Sequence, residues 1–597
     1  MSALLLQEFP SRKKRVDEGA PRPEYPRPQF EREDWLNLNG KWQFEFDDGN
    51  VGLREHWETG NRPFSREILV PFCFESRASG IGDPGPHPQV WYRRSFHIPI
   101  HWDERVLLNF GAVDYRTTVW VNGHSCGEHE GGHTPFRFDI TGHLTPGQNT
   151  VTVRVEDPPS DRYIPRGKQH WQDKPESIFY TRTTGIWQTV WLEPVGDSYL
   201  DRVRIDANID GVVTFDAKLV NAVPGTQFIA TIRLNGCFLC TSMAEVEGSQ
   251  AAGASLIRDP LWWSPDSPSL YDVTFELIKG DAPVDRVHSY FGFRSIAVRD
   301  GRVLLNGAPI YLKMVLDQGY WPETNLTPPS EDAVRYDIQM AKDMGFNGVR
   351  KHQKVEDPLF LHWADRMGLL VSAEMANSYL FDGDSVTRIT REWMDVVTRD
   401  YNHPCIIVWV PVNESWGIPN VSDRRQQAHL KAMYMLTRSL DASRLIIDND
   451  GWEHTDSTDL FAIHDYSHDG ETFYERFKSI EEGRIPVPFQ GKLFTAPGNT
   501  YNGSPIFLSE FGGVSYAPPS NPADEDAWGY EGMEVTEAGT FERIRSLYKG
   551  IARLPKIVGV CYTQLADVEQ EINGLMTDDR KPKFDISEIR ELNALLR

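Results

Sequence analysis

Two glutamates, each at the end of an apolar run, are the residues in this sequence best suited to chemistry. Glu414 follows the run that begins at Ile406, and Glu510 follows the run that begins at Pro505. Cleavage of a glycosidic bond with retention uses two carboxyl groups roughly 5–5.5 Å apart, one as nucleophile and the other as acid and then base. Either glutamate alone is more often an ordinary strand end. The pair indicates this chemistry only if the fold brings both carboxyl groups to one site.

Eight apolar strands that alternate with amphipathic helices are predicted after residue 299, and this is the strand count of a (β/α)8 TIM barrel. Ser330 and the pair Asp357-Pro358 are typical helix starts in this region. In such a barrel the carboxyl ends of all strands face one mouth, so Glu414 and Glu510, on strands four and seven, would meet there. The predicted strands cover residues 311–318, 346–351, 369–375, 406–414, 444–450, 460–466, 505–511 and 557–565.

Polar and aromatic side chains near the other strand ends complete a candidate site at this mouth. The candidates for substrate contact are Asp317, Gln318, Arg350, His352, Glu374, Asn413, His464, Tyr466 and Gln564. Trp321 and Trp416 are each either a stacking platform for a sugar or part of ordinary loop packing. A segment rich in glycine and proline, residues 483–503, is long enough to be an active-site loop.

The chain before the barrel is predicted to form an arm and two β-sandwiches. Residues 1–30 hold four prolines between positions 21 and 28, which favours an extended arm. Short alternating strands predict a sandwich over residues 31–197 and an immunoglobulin-like sandwich over residues 198–298, which leaves 299–597 for the barrel. Asn122-Gly123 and Asn235-Gly236 each predict a hairpin turn, because type I′ turns need positive φ at both central residues.

Composition argues against several classes of partner. The chain has 62 basic and 86 acidic residues and a formal net charge of -24, which disfavours binding to nucleic acid or anionic membranes. Cys237 and Cys240 form a lone CxxC pair and are expected to be buried thiols in a strand rather than a metal or redox site. No cofactor is expected for glycoside cleavage, and a structural cation stays an open alternative with no ligands assigned. The first residues lack the order of a secretory signal, and no apolar run reaches membrane length. A cytoplasmic protein is therefore expected.

An ordered series of short motifs runs along nearly the whole chain. The motifs are Leu38-Asn-Gly-Lys-Trp42, Trp91-Tyr-Arg-Arg94, Trp120-Val-Asn-Gly123, Gly185-Ile-Trp187, Phe291-Gly-Phe-Arg294, Leu305-Asn-Gly307, Phe507-Leu-Ser-Glu510 and Asp578-Asp-Arg-Lys-Pro582. Together with the segment from Asn402 to Glu414, they resemble family 2 glycoside hydrolases, which include β-galactosidases, β-glucuronidases and β-mannosidases.

The resemblance implies a fold and a set of roles. The fold is a jelly-roll sandwich of the sugar-binding type, an immunoglobulin-like sandwich and a catalytic barrel. Glu414 is implied as the acid/base and Glu510 as the nucleophile. Asn413 would then hydrogen-bond the 2-hydroxyl of the sugar, an interaction that strengthens in the transition state, and Tyr466 would contact the nucleophile.

Several positions at the mouth depart from the family pattern and leave the identity of the sugar open. Gln353 stands where a histidine is usual. Asp317-Gln318 replaces an Arg-His pair, and Thr563-Gln564 replaces Trp-Asn.

Two charged groups bear on substrate choice. Glu571 and Asn573 occupy the positions of the Asn-x-Lys motif with which glucuronidases bind the substrate carboxylate. An acidic residue there repels a uronate, so a β-glucuronidase is disfavoured. The cluster Arg350-Lys351-His352 either binds sugar hydroxyls or pairs with carboxylates, and substrate contact by at least one of the three is expected.

The sequence therefore predicts a retaining exo-β-glycosidase that removes a non-reducing terminal sugar. A β-galactosidase-like specificity follows from the family, with β-mannosides or β-furanosides as alternatives. A non-catalytic carbohydrate-binding protein is the alternative of another class, but the presence of both glutamates, Asn413 and Tyr466 argues against it. An oligosaccharide or an aryl or alkyl glycoside is the expected substrate, and homo-oligomers are expected from the habit of the family.

Overall fold

The computed structural model describes residues 19–102, 105–486, 492–524 and 526–597 of the 597-residue chain. The first 18 residues of the predicted arm, and residues 487–491 of the predicted loop at 483–503, lie outside the described residues. Among the residues that are described, no helix is both long enough and apolar enough to cross a bilayer.

Residues 19–30 contact all three parts of the chain that follow them. Arg22 Nη2 donates to Asp357 Oδ2 of the barrel (3.0 Å), and the Tyr25 hydroxyl donates to Glu193 Oε1 of the first sandwich (2.7 Å). Phe30 is buried in the core of the second sandwich. These contacts hold the described part of the predicted arm against the folded body.

The first sandwich packs a six-stranded antiparallel sheet against a four-stranded one. Alternation explains the strands: Trp42 and Phe44 point into the core, while Lys41 and Gln43 between them are exposed. In spatial order the larger sheet is Arg66–Val70, Gly40–Phe46, Gln89–His97, Gln148–Glu156, Arg116–Val121 and His124–Glu130. The smaller sheet is Leu36–Asn37, Val190–Val195, Arg105–Phe110 and Phe136–Asp139, and Val113–Asp114 pairs separately with Gly185–Ile186. Short 3-10 helices cover Trp57–Thr59, Arg77–Ser79 and Thr141–His143.

The second sandwich has the immunoglobulin-like form that the sequence predicts. Its sheets, again in spatial order, are Tyr199–Ala207, Val212–Val220 and Gln250–Leu256, and Cys237–Glu245, Thr226–Leu234, Tyr271–Lys279 and Ala282–Phe291. A short pair, Trp263–Ser264 and Ser267–Pro268, and a hairpin of Ile296–Arg299, Arg302–Leu305 and Ala308–Pro309 lead to the barrel.

Both predicted hairpin turns are confirmed, but one burial prediction is wrong. Asn122 and Gly123 have φ of 51° and 80°, and Asn235 and Gly236 have φ of 50° and 77°, as type I′ turns require. The thiol pair that follows the second turn was expected to be buried. Cys237 is exposed instead, because its strand is the edge of its sheet.

The barrel follows the predicted plan of parallel strands and outer helices. Ser330 and Asp357 cap α1 and α2, where their side chains accept hydrogen bonds from Ala333 N (3.2 Å) and Leu359 N (2.9 Å). In chain order the strands are Leu312–Asp317, Gly348–Lys351, Leu370–Glu374, Ile406–Val410, Leu445–Ile446, Phe461–Asp465, Ile506–Gly512 and Ile557–Thr563. The helices α1 to α7 are Glu331–Asp343, Pro358–Met367, Gly383–Asp400, Arg424–Leu440, Gly470–Phe477, Glu537–Ile551 and Ile586–Ala594, and a 3-10 helix covers Lys478–Glu482.

The strand ladder of the barrel is open between its fifth and sixth strands. The hydrogen-bonded order is five, four, three, two, one, eight, seven, six. The fifth strand is only two residues long, much shorter than the predicted 444–450, and the described residues 447–460 form no helix although the alternating pattern predicts one. Turn-forming residues dominate this connection, including Gly451 with φ of 103°.

His454 bridges the open seam with its side chain. Its Nδ1 lies 2.7 Å from Asp448 Oδ1, just after the fifth strand, and its Nε2 lies 2.7 Å from the carbonyl oxygen of Ala462 in the sixth. His454 is fully buried, so water does not replace it as a partner for either oxygen. This side chain thus connects two described strands that no strand ladder joins.

Replacing His454 with leucine is expected to destabilise the protein by about 2–4 kcal/mol, because two buried oxygens lose a hydrogen bond. Chemical denaturation followed by tryptophan fluorescence measures the change. His468→Leu is the matched control, because His468 is exposed on the same barrel. Equal stability of the two variants would show that the seam does not depend on this histidine.

Asp365 of α2 joins the second sandwich to the start of the fourth barrel strand. Its carboxylate accepts from the Tyr290 hydroxyl (2.8 Å) and from Cys405 N (2.9 Å), and it lies 2.5 Å from His403 Nδ1. All four residues are buried. This junction fixes the strand that leads to Glu414.

Candidate active site

Arg350, at the end of the second strand, organises the acidic residues of the barrel mouth. Its guanidinium donates to Glu510 Oε1 (2.8 Å), Glu374 Oε2 (2.9 Å) and Asn413 Oδ1 (2.7 Å). The side chain is fully buried, and Asp450 Oδ2 lies 3.4 Å from its Nε. Because buried charges must be paired, Arg350 makes this concentration of carboxylates tolerable.

Tyr466 holds the second oxygen of Glu510. Its hydroxyl donates to Glu510 Oε2 at 2.5 Å and lies 3.2 Å from Thr563 Oγ1. The Tyr530 ring stacks on the Tyr466 ring, with the two centres 3.5 Å apart. Glu510 is therefore fixed from two sides, with one oxygen on a cation and the other on a phenol.

His464 brings the two glutamates together. Its Nδ1 lies 2.9 Å from Glu414 Oε1 and 3.4 Å from Glu510 Oε2, while its Nε2 lies 3.0 Å from Asp450 Oδ1. One oxygen of each glutamate and a ring nitrogen of His464 all lie within 4.8 Å of one another. The fold thus brings the two carboxyl groups into one site, as a retaining pair requires.

Charge and hydrogen bonding set the protonation of this cluster. Burial alone would neutralise Glu510, but the charges of His464 and Arg350 outweigh it and lower the pKa of Glu510 to about 2. Burial also disfavours charged His464, yet the Glu510 charge and hydrogen bonds to Asp450 and Glu414 raise the pKa of His464 to about 9. Near neutral pH the site therefore holds an ionised Glu510 beside an imidazolium.

The free energy of unfolding is expected to decrease at alkaline pH as His464 loses its proton. Its pKa in the folded state lies above its ordinary value of 6.5, so the stabilisation is complete below pH 6.5 and is lost as the pH rises through about 9. The loss over that window is roughly 3 kcal/mol for a shift of this size. Thermal melts of wild type and His464→Asn at pH 6.5 and 9.5 measure it.

The wild-type Tm should fall more steeply over this window than the Tm of the variant. His468→Asn, at an exposed position, should follow the wild type. Parallel Tm curves for wild type and His464→Asn would contradict a charged His464 in the folded protein.

Glu414 is presented by a turn rather than by a strand end. The fourth strand ends at Val410, four residues earlier than predicted, and Glu414 and Ser415 adopt φ of 50° and 60°. Left-handed backbone at two successive non-glycine residues is strained and is often found at functional sites. Glu414 N donates to Asp450 O (2.9 Å) and Ser415 N donates to Asn449 Oδ1 (2.9 Å), so the residues after the fifth strand hold the turn in place.

Several buried polar atoms around the mouth make no hydrogen bond with the described residues. Asn413 is the clearest case: Arg350 occupies its Oδ1, so its Nδ2 is left to donate to a ligand. Buried polar groups in proteins are normally satisfied, and the hydroxyls of a bound sugar would satisfy these. The atoms are Gln318 Oε1, Asn413 Nδ2, Trp416 Nε1, Trp452 Nε1 and Gln564 Oε1.

The predicted basic cluster at the second strand divides between the two faces of the barrel. Lys351 lies 2.5 Å from Asp317 Oδ2 and 4.2 Å from the centre of the Phe360 ring of α2, on the helix side. Asp317 is thereby engaged by Lys351. His352 is buried, and its Nδ1 forms no hydrogen bond with the described residues. Of this cluster, His352 remains the predicted substrate contact.

The remaining predicted residues have mixed surroundings. Burial raises the pKa of Glu374 to about 7 even though Arg350 opposes this. Gln564 Nε2 donates to Asn573 Oδ1 (2.7 Å), which orients its free oxygen.

The two candidate stacking tryptophans differ in their surroundings. The Trp416 ring lies 5.0 Å from the Tyr379 ring, and its indole N–H forms no hydrogen bond within the described part of the chain, so Trp416 remains a predicted platform. The Arg580 guanidinium lies 3.9 Å from the Trp321 ring and covers one of its faces. This contact supports the packing alternative for Trp321.

Three contributors to the site are not among the predicted substrate contacts. Asp450 is one of them, although it ends the predicted fifth strand, residues 444–450. Tyr530 lies in an irregular loop after the seventh strand, and no sequence pattern marks it. The sandwich loop, residues 157–184, also reaches the mouth: the Tyr180 hydroxyl donates to Glu571 Oε2 (2.5 Å), and the Phe179 ring lies 6.0 Å from Trp416.

Comparison with known families agrees with this architecture domain by domain. Residues 36–192 match the sugar binding domain of glycosyl hydrolases family 2, residues 199–294 match the description "Glycosyl hydrolases family 2", and residues 296–521 match the TIM barrel domain of that family. The chain belongs to glycosyl hydrolases family 2. The predicted family and fold class are therefore confirmed.

Family 2 relatives carry two different names. A putative beta-glucuronidase from Formosa agariphila is 28% identical over 420 residues, covering 64% of this chain and 37% of the relative. A beta-galactosidase from Thermoanaerobacter pseudethanolicus is 27% identical over 405 residues, covering 64% of this chain and 51% of that protein. The chain thus spans about half or less of the length of these curated relatives.

Solved family 2 structures share the fold over almost the whole chain. The beta-glucuronidase of Bifidobacterium dentium, complexed with coumarin-3-O-glucuronide, has a TM-score of 0.78 at 20% identity and covers 94% of this chain and 97% of its own. A beta-glucuronidase from Ruminococcus gnavus has a TM-score of 0.74 at 19% identity, with the same coverage. At these identities the likeness establishes the fold alone.

Proposed function

We propose that this family 2 protein is a retaining exo-β-glycosidase with Glu510 as nucleophile and Glu414 as acid/base. The observation that carries the proposal is the cluster in which Glu510, Glu414 and His464 lie within 4.8 Å of one another. One glutamate is ionised and held by Arg350 and Tyr466, and the other faces it from a turn. This arrangement suits double displacement.

In the first step Glu510 attacks the anomeric carbon of the terminal sugar. The bond from that carbon to the leaving oxygen breaks, and Glu414 gives its proton to that oxygen, so the aglycone leaves as an alcohol. A glycosyl ester on Glu510 remains. In the second step Glu414 takes a proton from water, the water oxygen attacks the anomeric carbon, and Glu510 is released as a carboxylate.

The surrounding residues assist without reacting. Arg350 and His464 keep Glu510 ionised, as the lowered pKa of this carboxyl requires. Asn413 Nδ2, which makes no hydrogen bond with the described residues, is proposed to donate to the sugar 2-hydroxyl. A hydrogen bond there strengthens as the anomeric carbon becomes positive, and so contributes to catalysis rather than to binding alone.

A terminal β-galactoside is the first substrate we propose, because β-galactosidases are prominent among the named relatives. β-Mannosides and β-furanosides are the alternatives, since the departures at Asp317-Gln318 and Gln353 change the mouth where a sugar is recognised. No cofactor is required by this chemistry. A cytoplasmic location and a homo-oligomeric state are part of the proposal.

A panel of 4-nitrophenyl β-glycosides tests this function. Wild type is expected to release nitrophenol from at least one member of a panel that contains galactoside, mannoside, glucoside, glucuronide and furanosides. Binding of these sugars, seen by calorimetry, without turnover of any member would instead support the non-catalytic carbohydrate-binding alternative.

A further inference from the structure

Lys168 is a buried cation that forms no direct ion pair with the described residues; the charge of Glu571 acts on it only from beyond ion-pair distance. The residue is 6% exposed, and its ammonium group forms no hydrogen bond or ion pair with the described part of the chain. Other buried lysines are paired: Lys354 lies 3.0 Å from Glu356, and Lys583 lies 2.7 Å from Asp567. Because an unpaired buried ammonium is costly, Lys168 is expected to meet an anion supplied from outside the chain.

Lys168 lies at the barrel mouth, although this residue belongs to the sandwich loop. The residue before it, Gly167, donates from its N–H to the carbonyl oxygen of Asn377 beyond the third barrel strand (3.1 Å). Lys168 Nζ lies 6.0 Å from the centre of the Phe179 ring, and that ring lies 6.0 Å from Trp416. The ammonium group is thus part of the wall that the sandwich loop adds beside the catalytic turn.

Gly167 explains why the loop approaches the barrel so closely. Its φ is 59°, and a Cβ placed on it would lie 2.2 Å from the carbonyl oxygen of Gln353, just after the second strand. Only glycine fits this contact. Lys168 is therefore delivered to one defined place rather than to a free loop tip.

The groups around Lys168 leave its charge available. Burial and then the Lys168 charge lower the pKa of His352, so this neighbour is a neutral imidazole. Burial raises the pKa of Glu571 although the Lys168 charge opposes this, and its oxygens already accept from the Tyr180 hydroxyl (2.5 Å) and from Asn573 Nδ2 (3.0 Å). Glu571 is therefore engaged by its own neighbours, which weakens its expected repulsion of an anionic substrate.

We propose that Lys168 binds an anionic substituent, a carboxylate or a sulfate ester, of the terminal sugar of the substrate. The proposal rests on the proposed glycosidase function. In this proposal a residue of the first sandwich recognises the anion. The Asn-x-Lys motif that binds the carboxylate in glucuronidases would lie after the eighth barrel strand, and its positions hold Glu571 and Asn573 in this chain. A carboxylate and a sulfate share the chemistry that an ammonium recognises, and the experiment separates them.

The test compares matched substrates that differ only in charge. Wild type, Lys168→Met and Lys168→Arg are assayed on 4-nitrophenyl β-galactoside, its 6-carboxylate and its 6-O-sulfate, with the glucoside series in parallel. Lys168→Met is expected to lower kcat/KM on the preferred anionic substrate by about 10-fold or more, mainly through KM, and to change the neutral one by less than about 2-fold. Lys168→Arg keeps the charge and should retain most of the activity.

Lys174→Met is the matched control, because Lys174 is exposed in the same loop. It should behave as wild type on every substrate. The substrate series whose kcat/KM depends on Lys168, carboxylate or sulfate, identifies the anion that this lysine binds. Equal loss on charged and neutral substrates, or no loss on either, overturns the proposal.

A measurement on the wild type alone tests the proposal even if the Lys168 variants fail to fold. Free galacturonate, glucuronate and galactose 6-sulfate are tested as inhibitors of neutral-substrate hydrolysis. At least one is expected to inhibit more strongly than galactose and glucose. Absence of any such advantage overturns the proposal, whereas turnover of the neutral glycoside leaves the glycosidase function standing.

Discussion

Replacing Glu510 with alanine is expected to lower kcat on aryl β-glycosides by about 10⁴-fold or more, because the variant has no group that can form the glycosyl ester. The fold should tolerate the change. Arg350 loses one carboxylate but keeps Glu374 at 2.9 Å and Asp450 at 3.4 Å, so it is not left as an unpaired buried charge. Nitrophenol release and circular dichroism measure activity and folding separately.

Azide turns this loss into a positive test of the role of Glu510. In Glu510→Ala a small anion can occupy the space of the carboxylate and attack the same face of the sugar, which would yield an α-glycosyl azide from a β-glycoside. Glu591→Ala is the matched control, because Glu591 is exposed on α7, and it should keep wild-type activity. Near-normal turnover by Glu510→Ala would remove this residue from the mechanism.

Replacing Glu414 with alanine is expected to produce a loss that depends on the leaving group. An alkyl or disaccharide leaving group needs a proton as it departs, so its cleavage should fall by about 10²–10⁴-fold. A dinitrophenolate leaves without a proton, so the first step on that substrate should change little. The second step still lacks its base, and a burst of dinitrophenol followed by slow turnover is expected.

The same azide experiment gives the opposite stereochemistry for Glu414→Ala. Here the glycosyl ester on Glu510 forms first, and azide attacks it from the face where water normally enters, which gives a β-glycosyl azide. The two variants thus assign the two glutamates independently. A loss that is equal for alkyl and dinitrophenyl leaving groups would contradict the acid/base role of Glu414.

Most of the fold could be predicted from the sequence because each domain has its own local pattern. Alternation around Trp42 and Phe44 predicts a half-buried sheet, and apolar runs that end in a polar residue predict parallel strands with a functional edge. These patterns repeat eight times after residue 299, so the barrel could be counted. The exception is the fifth strand, where turn-forming residues leave only Leu445–Ile446 in the ladder.

The geometry of the site could be predicted only in part. Glu414 and Glu510 were identified because each follows an apolar strand, but the left-handed turn at Glu414 has no signal in a non-glycine residue. The bridge that His464 forms between Asp450 and both glutamates depends on three chain segments that are distant in sequence. Such contacts are set by tertiary packing and leave no local pattern.

The contribution of the first sandwich was the least predictable feature. Tyr180 and Lys168 lie more than 200 residues before the catalytic turn, in an irregular loop whose composition resembles any surface loop. A buried lysine cannot be distinguished from an exposed one in such a segment. Tertiary contacts, such as those of Gly167 and Tyr180 with the barrel, place this loop at the mouth.

The configuration of the first sugar released tests the central claim most directly. Double displacement through Glu510 inverts the anomeric carbon twice, so proton NMR should detect the β-anomer first, followed by slow mutarotation toward equilibrium. Any substrate that the wild type cleaves from the glycoside panel serves for this measurement. Initial appearance of the α-anomer would mean a single displacement by water, and would contradict a covalent intermediate on Glu510.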